Sequence, residues 1–165
     1  MSFAVSNTAI DVEAARERVA DQSCGALVVF EGWIRDHNEG REVSRLEYEV
    51  YRPLAEKEGN KIIAEAKQKF TVSNVFCIHR EGLLELTDVA VIVCVSSSHR
   101  GEAFDACRYV IDQVKSRLPI WKKEHYLSGV SEWVNCQNCA LAGDGEHKFE
   151  GHGNEAHAHK GQGHD

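Results

Sequence analysis

The spacing of apolar residues switches repeatedly along this chain, from every second position to helical spacing and back, and that alternation restricts the fold more than any other feature. Ala26 to Arg35 (ALVVFEGWIR), Val72 to Arg80 and Val89 to Ser96 are β-branched and aromatic runs that read as strands. Leu46, Tyr48 and Val50 alternate with Glu47, Glu49 and Tyr51, the pattern of a half-exposed strand. Helical spacing separates these runs. Asp11 suits the N-cap of a helix to about Gln22, with Val12, Ala15 and Val19 on one face. Pro53 suits the first turn of a second helix, carried to about Phe70 by Leu54, Ile62, Ile63 and Ala66 and weakened in its middle by Gly59 and Asn60. A third is predicted from about Glu102 to Leu118, where Phe104, Cys107, Ile111, Val114 and Leu118 recur and Pro119 stops it. A last strand runs from Ile120 to Tyr126. The order β-α-β-β-α-β-β-α-β indicates an α+β domain with a mixed or largely antiparallel sheet, not a doubly wound parallel one.

The periodicity stops near Ala142. Residues 1–142 therefore read as one domain, and residues 143–165, with six glycines and five histidines, as a disordered tail. Cys136 and Cys139 form a CxxC that His147 and His152 follow, which offers two thiolates and two imidazoles. The gap from Cys139 to His147 is shorter than zinc-finger spacing, so no metal or other cofactor is expected. A metal-handling protein, with this tail as its working part and a non-catalytic core, is the alternative reading; deleting the tail discriminates the two. Cys77, Cys94 and Cys107 read as buried, reduced thiols, and Cys24 sits in a predicted turn. No apolar run approaches the ~18 residues of a membrane span, and the start lacks the basic and apolar regions of a secretory signal, so a cytoplasmic, membrane-free protein is expected. A formal charge of -7 argues against general nucleic-acid binding.

Against that acidity, KSRLPIWKKE concentrates Lys115, Arg117, Lys122 and Lys123 around Pro119 and Trp121. Such a cluster suits an anionic ligand. On the predicted helix Phe104, Arg108, Ile111 and Lys115 follow one stripe, so Lys115 borders the buried face, where desolvation and neighbouring cations favour acid–base or acyl-accepting chemistry. Lys122 and Glu124 share one face of the following strand, and Lys123 points the other way. His99 and Arg100 precede a helix N-terminus, with Gly101 permitting close backbone approach. Together they suit a phosphate. Arg35 closes a strand at a loop, a further candidate.

The segments GALVVFEGWIRDHNEGR, LEYEVYRPLAE, IHREGLLEL and SSSHRGEAFDACRYVIDQVKSRLPIWKKE, with Gly129 to Trp133 as a closing G-x-x-x-W, together resemble the catalytic, large subunit of molybdopterin synthase over about residues 3 to 134. The resemblance implies an α/β-hammerhead fold and a heterotetramer built around a homodimer of large subunits. It implies sulfur transfer to cyclic pyranopterin monophosphate, making the molybdopterin dithiolene. The donor would be the C-terminal Gly-Gly thiocarboxylate of a small ubiquitin-like sulfur-carrier subunit. By position it implies substrate binding by Trp33, Ile34 and Arg35, by His99 and Arg100 from the neighbouring large subunit, and by Lys115, Lys122, Lys123 and Glu124. Lys115 and Lys122 are the implied catalytic residues. Trp33 departs from the smaller or basic residue expected there, and Thr87 stands where a turn glycine is common.

Overall fold

The computed structural model describes residues 3–135; Cys136, Cys139, His147, His152 and the domain boundary at Ala142 lie outside the described residues. The α+β class holds, with three helices and two sheets among the described residues.

The first sheet is organised around β7 (Val89–Ser97). Antiparallel neighbours flank it, β5 (Asn74–Arg80) on one side and β2 (Ala26–Trp33) on the other, and β1 (Phe3–Ser6) extends the sheet parallel to β5. Val91, Val93 and Val95 pack with residues of α2 (Arg52–Lys69) and α3 (Arg100–Arg117), whereas Ile92 and Cys94 pack with Ala15 of α1 (Val12–Glu17) and with Val19. Covering both faces explains why this strand is a continuous apolar run without polar alternation.

The helices depart from the sequence reading in detail. Asp11 caps α1, its Oδ1 accepting from the Ala14 N–H at 3.0 Å. The helix ends at Glu17, not near Gln22, because the chain then tightens: Val19 N–H bonds Arg16 O and Ala20 N–H bonds Glu17 O. The buried face of α3 is Ala103, Ala106, Cys107, Val110, Ile111 and Val114, which leaves Phe104 outside it and 60% exposed. In α2 the two weak helix formers dock β1. A Cβ on Gly59 would stand 2.3 Å from the Phe3 ring, and Asn60 Oδ1 accepts the Phe3 N–H at 3.2 Å. Arg117, which has no assigned role in the sequence reading, clamps α3 to α2. It hydrogen-bonds Glu58 and, at 2.6 Å, Glu65 Oε2, to which Tyr109 also donates.

The second sheet centres on β4 (Arg41–Val50), which pairs antiparallel with β3 (His37–Asn38), β6 (Gly82–Glu85) and β8 (Ile120–Tyr126); β9 (Ser131–Asn135) pairs with β8. The strands β3, β6 and β9 are absent from the sequence reading, being too short to show a period. HNEGRE forms a two-residue hairpin turn. Both central residues, Glu39 (φ 48°) and Gly40 (φ 77°), take the left-handed conformation that matches strand twist. Thr87 also sits at positive φ, 70°, in the turn between β6 and β7 that a glycine would fit without strain.

Candidate active site

A cleft of about 580 Å³ opens where the hairpin and β8 face the C-terminal end of α3. Its apolar wall includes Val91, Ile111, Val114, Leu118 and Ile120, and its polar lining includes Arg35, Asn38, His79, Lys115, Lys122 and Glu124.

Strand alternation delivers two of these groups. Along β8 the inward positions are Ile120, Lys122, Glu124 and Tyr126, so two charged residues occupy what would ordinarily be core sites. They are tolerable there because they satisfy each other. Lys122 Nζ lies 3.0 Å from Glu124 Oε1, while Glu124 Oε2 accepts from Tyr126 O–H at 2.7 Å and from Asn38 Nδ2 at 3.1 Å. Glu124 is only 1% exposed. Burial pushes its pKa up, but the hydrogen bonds from Tyr126 and Lys122, with the Lys122 charge, outweigh it and hold the carboxyl below its usual range. The same bond pushes the Tyr126 phenol up to about 12, assisted by burial. Glu124 is thus an ionised anchor.

Arg35 follows β2 and is exposed, with its Nη2 donating to Asn38 Oδ1 at 2.9 Å. Among the described residues neither Arg35 nor Lys115 forms an ion pair with an acid, so both charges face the cleft uncancelled at contact range.

His79 is a cleft residue that the sequence reading missed. It is 7% exposed, packs edge-on against Tyr48, and its Nδ1 lies 2.8 Å from Arg80 O. A carbonyl only accepts, so Nδ1 carries the proton and Nε2 is left as an acceptor. Burial, with a smaller contribution from the Lys115 charge, lowers the pKa to about 4 against the opposing Arg80 bond, so the ring is neutral near pH 7. The signal was available. Val75, Cys77 and His79 occupy alternate positions of β5, which places an imidazole on the buried face.

The remaining sequence candidates divide. Trp33 lines the cleft with its indole exposed, Nε1 donating to Glu31 at 2.9 Å. Ile34 does not present its side chain there. It is 3% exposed, packed with Val43, Leu46 and Leu84, and its N–H and C=O bond Asp88 and Thr87. Lys123 faces away, as its strand position predicts, with Nζ 5.5 Å from the centroid of Trp133. Lys115 is exposed at the cleft edge, not enclosed within this chain. His99 and Arg100 begin α3 whereas Lys115 lies near its end, about 22 Å away at 1.5 Å per residue. Within one chain they cannot share a ligand. The described residues contain no cluster of metal-ligating side chains.

Comparison with known proteins gives this geometry its context. The model of the MoaE protein family matches residues 5–117. The chain belongs to the MoaE family. It is 41% identical to the molybdopterin synthase catalytic subunit of Bos taurus over 133 residues, covering 81% of this chain and 70% of that one. To the subunit of that name from Thermoplasma volcanium it is 43% identical over 116 residues, 70% of this chain and 85% of the relative. Among solved structures it resembles the molybdopterin synthase crystal structure from Staphylococcus aureus, with a TM-score of 0.77 and 38% identity over 81% of this chain and 97% of that one. The family match contains Arg35, Asn38, His79 and Lys115 and stops before Lys122 and Glu124, while the 133-residue similarity to the Bos taurus subunit extends across β8. No helix among the described residues is long and apolar enough to cross a membrane.

Proposed function

We propose that this chain is the catalytic subunit of a molybdopterin synthase and that the cleft is where sulfur is transferred to cyclic pyranopterin monophosphate. The carrying observation is the convergence of Arg35, Lys115 and Lys122 on one apolar-walled cleft in a protein of net charge -7. A phosphate-bearing pterin needs fixed cations for its charge and an apolar wall for its ring. The donor is the thiocarboxylated C-terminus of a small ubiquitin-like partner. Its Gly-Gly tail is thin enough to thread into a cleft beside α3, which supports entry past Lys115.

In this reading the thiocarboxylate sulfur attacks the pterin side-chain carbon bearing the cyclic phosphate. The C–O bond to phosphate breaks and leaves the sulfur bonded to both the pterin and the partner's acyl carbon. Water then cleaves the acyl–sulfur bond, releasing the partner's carboxylate, and a second charged partner adds its sulfur to the neighbouring side-chain carbon, whose oxygen leaves as water before hydrolysis again frees the carboxylate. Lys115, at the cleft edge, would orient the incoming thiocarboxylate and pass a proton. Lys122 and Arg35 would balance phosphate charge as the C–O bond breaks. His99 and Arg100 would complete the phosphate site from a second copy of the chain, which their separation from Lys115 in one chain requires. A homodimer of large subunits within a heterotetramer meets that requirement.

The test is reconstitution with a thiocarboxylated small subunit and the cyclic phosphate precursor, assayed for dithiolene. Lys115→Ala should abolish product while circular dichroism and thermal melting stay unchanged. Near-normal turnover by that folded variant would sink the assignment.

A further inference from the structure

The cleft joins an arginine to a carboxylate through a neutral side chain. Arg35 Nη2 donates to Asn38 Oδ1 at 2.9 Å, and Asn38 Nδ2 donates to Glu124 Oε2 at 3.1 Å. A guanidinium can only donate and an ionised carboxylate can only accept, so a bridge between them must accept at one end and donate at the other. An amide does both, and an aspartate in its place does not. Direct pairing with Glu124 would absorb Arg35's donors and its charge. Held by a single bond to a neutral group, the guanidinium keeps its remaining N–H groups and full charge for a ligand. Glu124 is a fixed reference for this arrangement because it is buried and also bound by Lys122 and Tyr126. The hairpin supplies the placement. Asn38 pairs with Arg41 across the left-handed Glu39-Gly40 turn, so its backbone is locked to β4.

We propose that Asn38 is a positioning residue that sets Arg35 against the buried Glu124–Lys122 pair, so that Arg35 and Lys122 present their donors to the same anionic group. For its kinetic consequences the inference rests on the synthase reading; for its structural consequences it does not. The local test is nitrogen NMR of the Arg35 guanidinium in the isolated chain. The wild type should show hindered rotation and Asn38→Ala should lose it; an unchanged signal overturns the proposal.

The kinetic test uses the reconstituted enzyme. Asn38→Ala should raise KM for the pterin phosphate about tenfold, the effect of losing one hydrogen bond to a charged group, and lower kcat as well, because Arg35 balances phosphate charge as the C–O bond breaks. Asn38→Asp should be worse, since it sets a carboxylate against Glu124. Adding Glu124→Gln to Asn38→Asp should recover part of the loss. The pair is then reversed in sense: the amide introduced at position 124 donates to the carboxylate introduced at position 38, which still accepts from Arg35. Additive losses in that double variant, or an unchanged KM in Asn38→Ala, overturn the proposal. A wild type without synthase activity whose Arg35 signal still depends on Asn38 would refute the function and leave the positioning role standing.

Discussion

Replacing His79 with glutamine should flatten part of the chain's response to acid. The native imidazole titrates near pH 4, against 6.5 for an unperturbed histidine, chiefly because it is buried and secondarily because Lys115 is near. Its folded pKa is depressed, so between these values the unfolded chain binds a proton that the native chain refuses. Stability is therefore complete above pH 6.5 and declines as pH falls towards 4. Each pKa unit corresponds to about 1.4 kcal/mol, which gives about 2 kcal/mol lost between pH 7 and 5 and about 3 kcal/mol over the whole range. Urea unfolding at pH 7, 6, 5 and 4.5 measures it. The amide of the His79→Gln variant can still donate to Arg80 O but cannot titrate. The stability difference between wild type and variant should therefore shift by about 2 kcal/mol from pH 7 to 5, against the wild type. Glu65, held at about 2 mainly by its hydrogen bond from Arg117, and Glu124, held low by its partners, also make the protein acid-sensitive. Both lose their contributions at lower pH, in wild type and variant alike, and cancel in the difference. A constant difference across pH would refute the reasoning. Lys115→Met offers a second check, since removing that charge should raise the His79 pKa read from its ring protons.

Two further substitutions probe the frame that carries the cleft. Gly59→Ala gains about 1 kcal/mol of helix propensity but drives a methyl into the Phe3 ring, so a net loss of about 1 to 2 kcal/mol and a lower melting temperature are expected; a higher melting temperature would show that β1 yields freely. Arg117→Met removes the α2–α3 clamp. With a side chain 25% exposed, its loss should amount to about 1 to 2 kcal/mol by chemical denaturation, less than for a fully buried charge, and an unchanged midpoint would refute the clamp.

What could be read from the sequence, and what could not, follows the range of each interaction. The α+β class was legible because strand and helix spacing are local, and so was the opposite facing of Lys122 and Lys123, which needs only alternation along β8. The stripe on α3 was legible to within one residue, and the error placed exposed Phe104 in the core. Three features depended on distant segments. The register of β4 on β8 sets Tyr48 opposite Lys122 and Leu46 opposite Glu124, and no local pattern reports it. The role of Gly59 is visible only once Phe3 lies across α2. Ile34 carried a family position in the sequence reading, yet its side chain belongs to the second sheet's core, because just past β2 its backbone is bonded to Thr87 and Asp88 and its side chain packs with Val43, Leu46 and Leu84, away from the cleft that Trp33 and Arg35 line.

The basic cluster shows how one run of charge is divided by geometry. Arg117 leaves the cleft to bind Glu58 and Glu65 on α2, and Lys123 leaves it to lie over Trp133. Lys115 and Lys122 remain, one exposed at the rim and one buried against Glu124. Their environments suit different work. A buried lysine paired to a carboxylate keeps its position while a ligand comes and goes, which suits holding a phosphate. An exposed lysine at the rim is free to follow the partner's C-terminus that the proposed reaction requires. In the proposed synthase, exchanging the two environments, with Lys115 tied to an acid and Lys122 left loose, would give a cleft that still binds anions but lacks a mobile cation where the sulfur donor would enter. In that proposed reaction the division of labour between the two lysines rests on Glu124, and through Asn38 the same carboxylate sets Arg35.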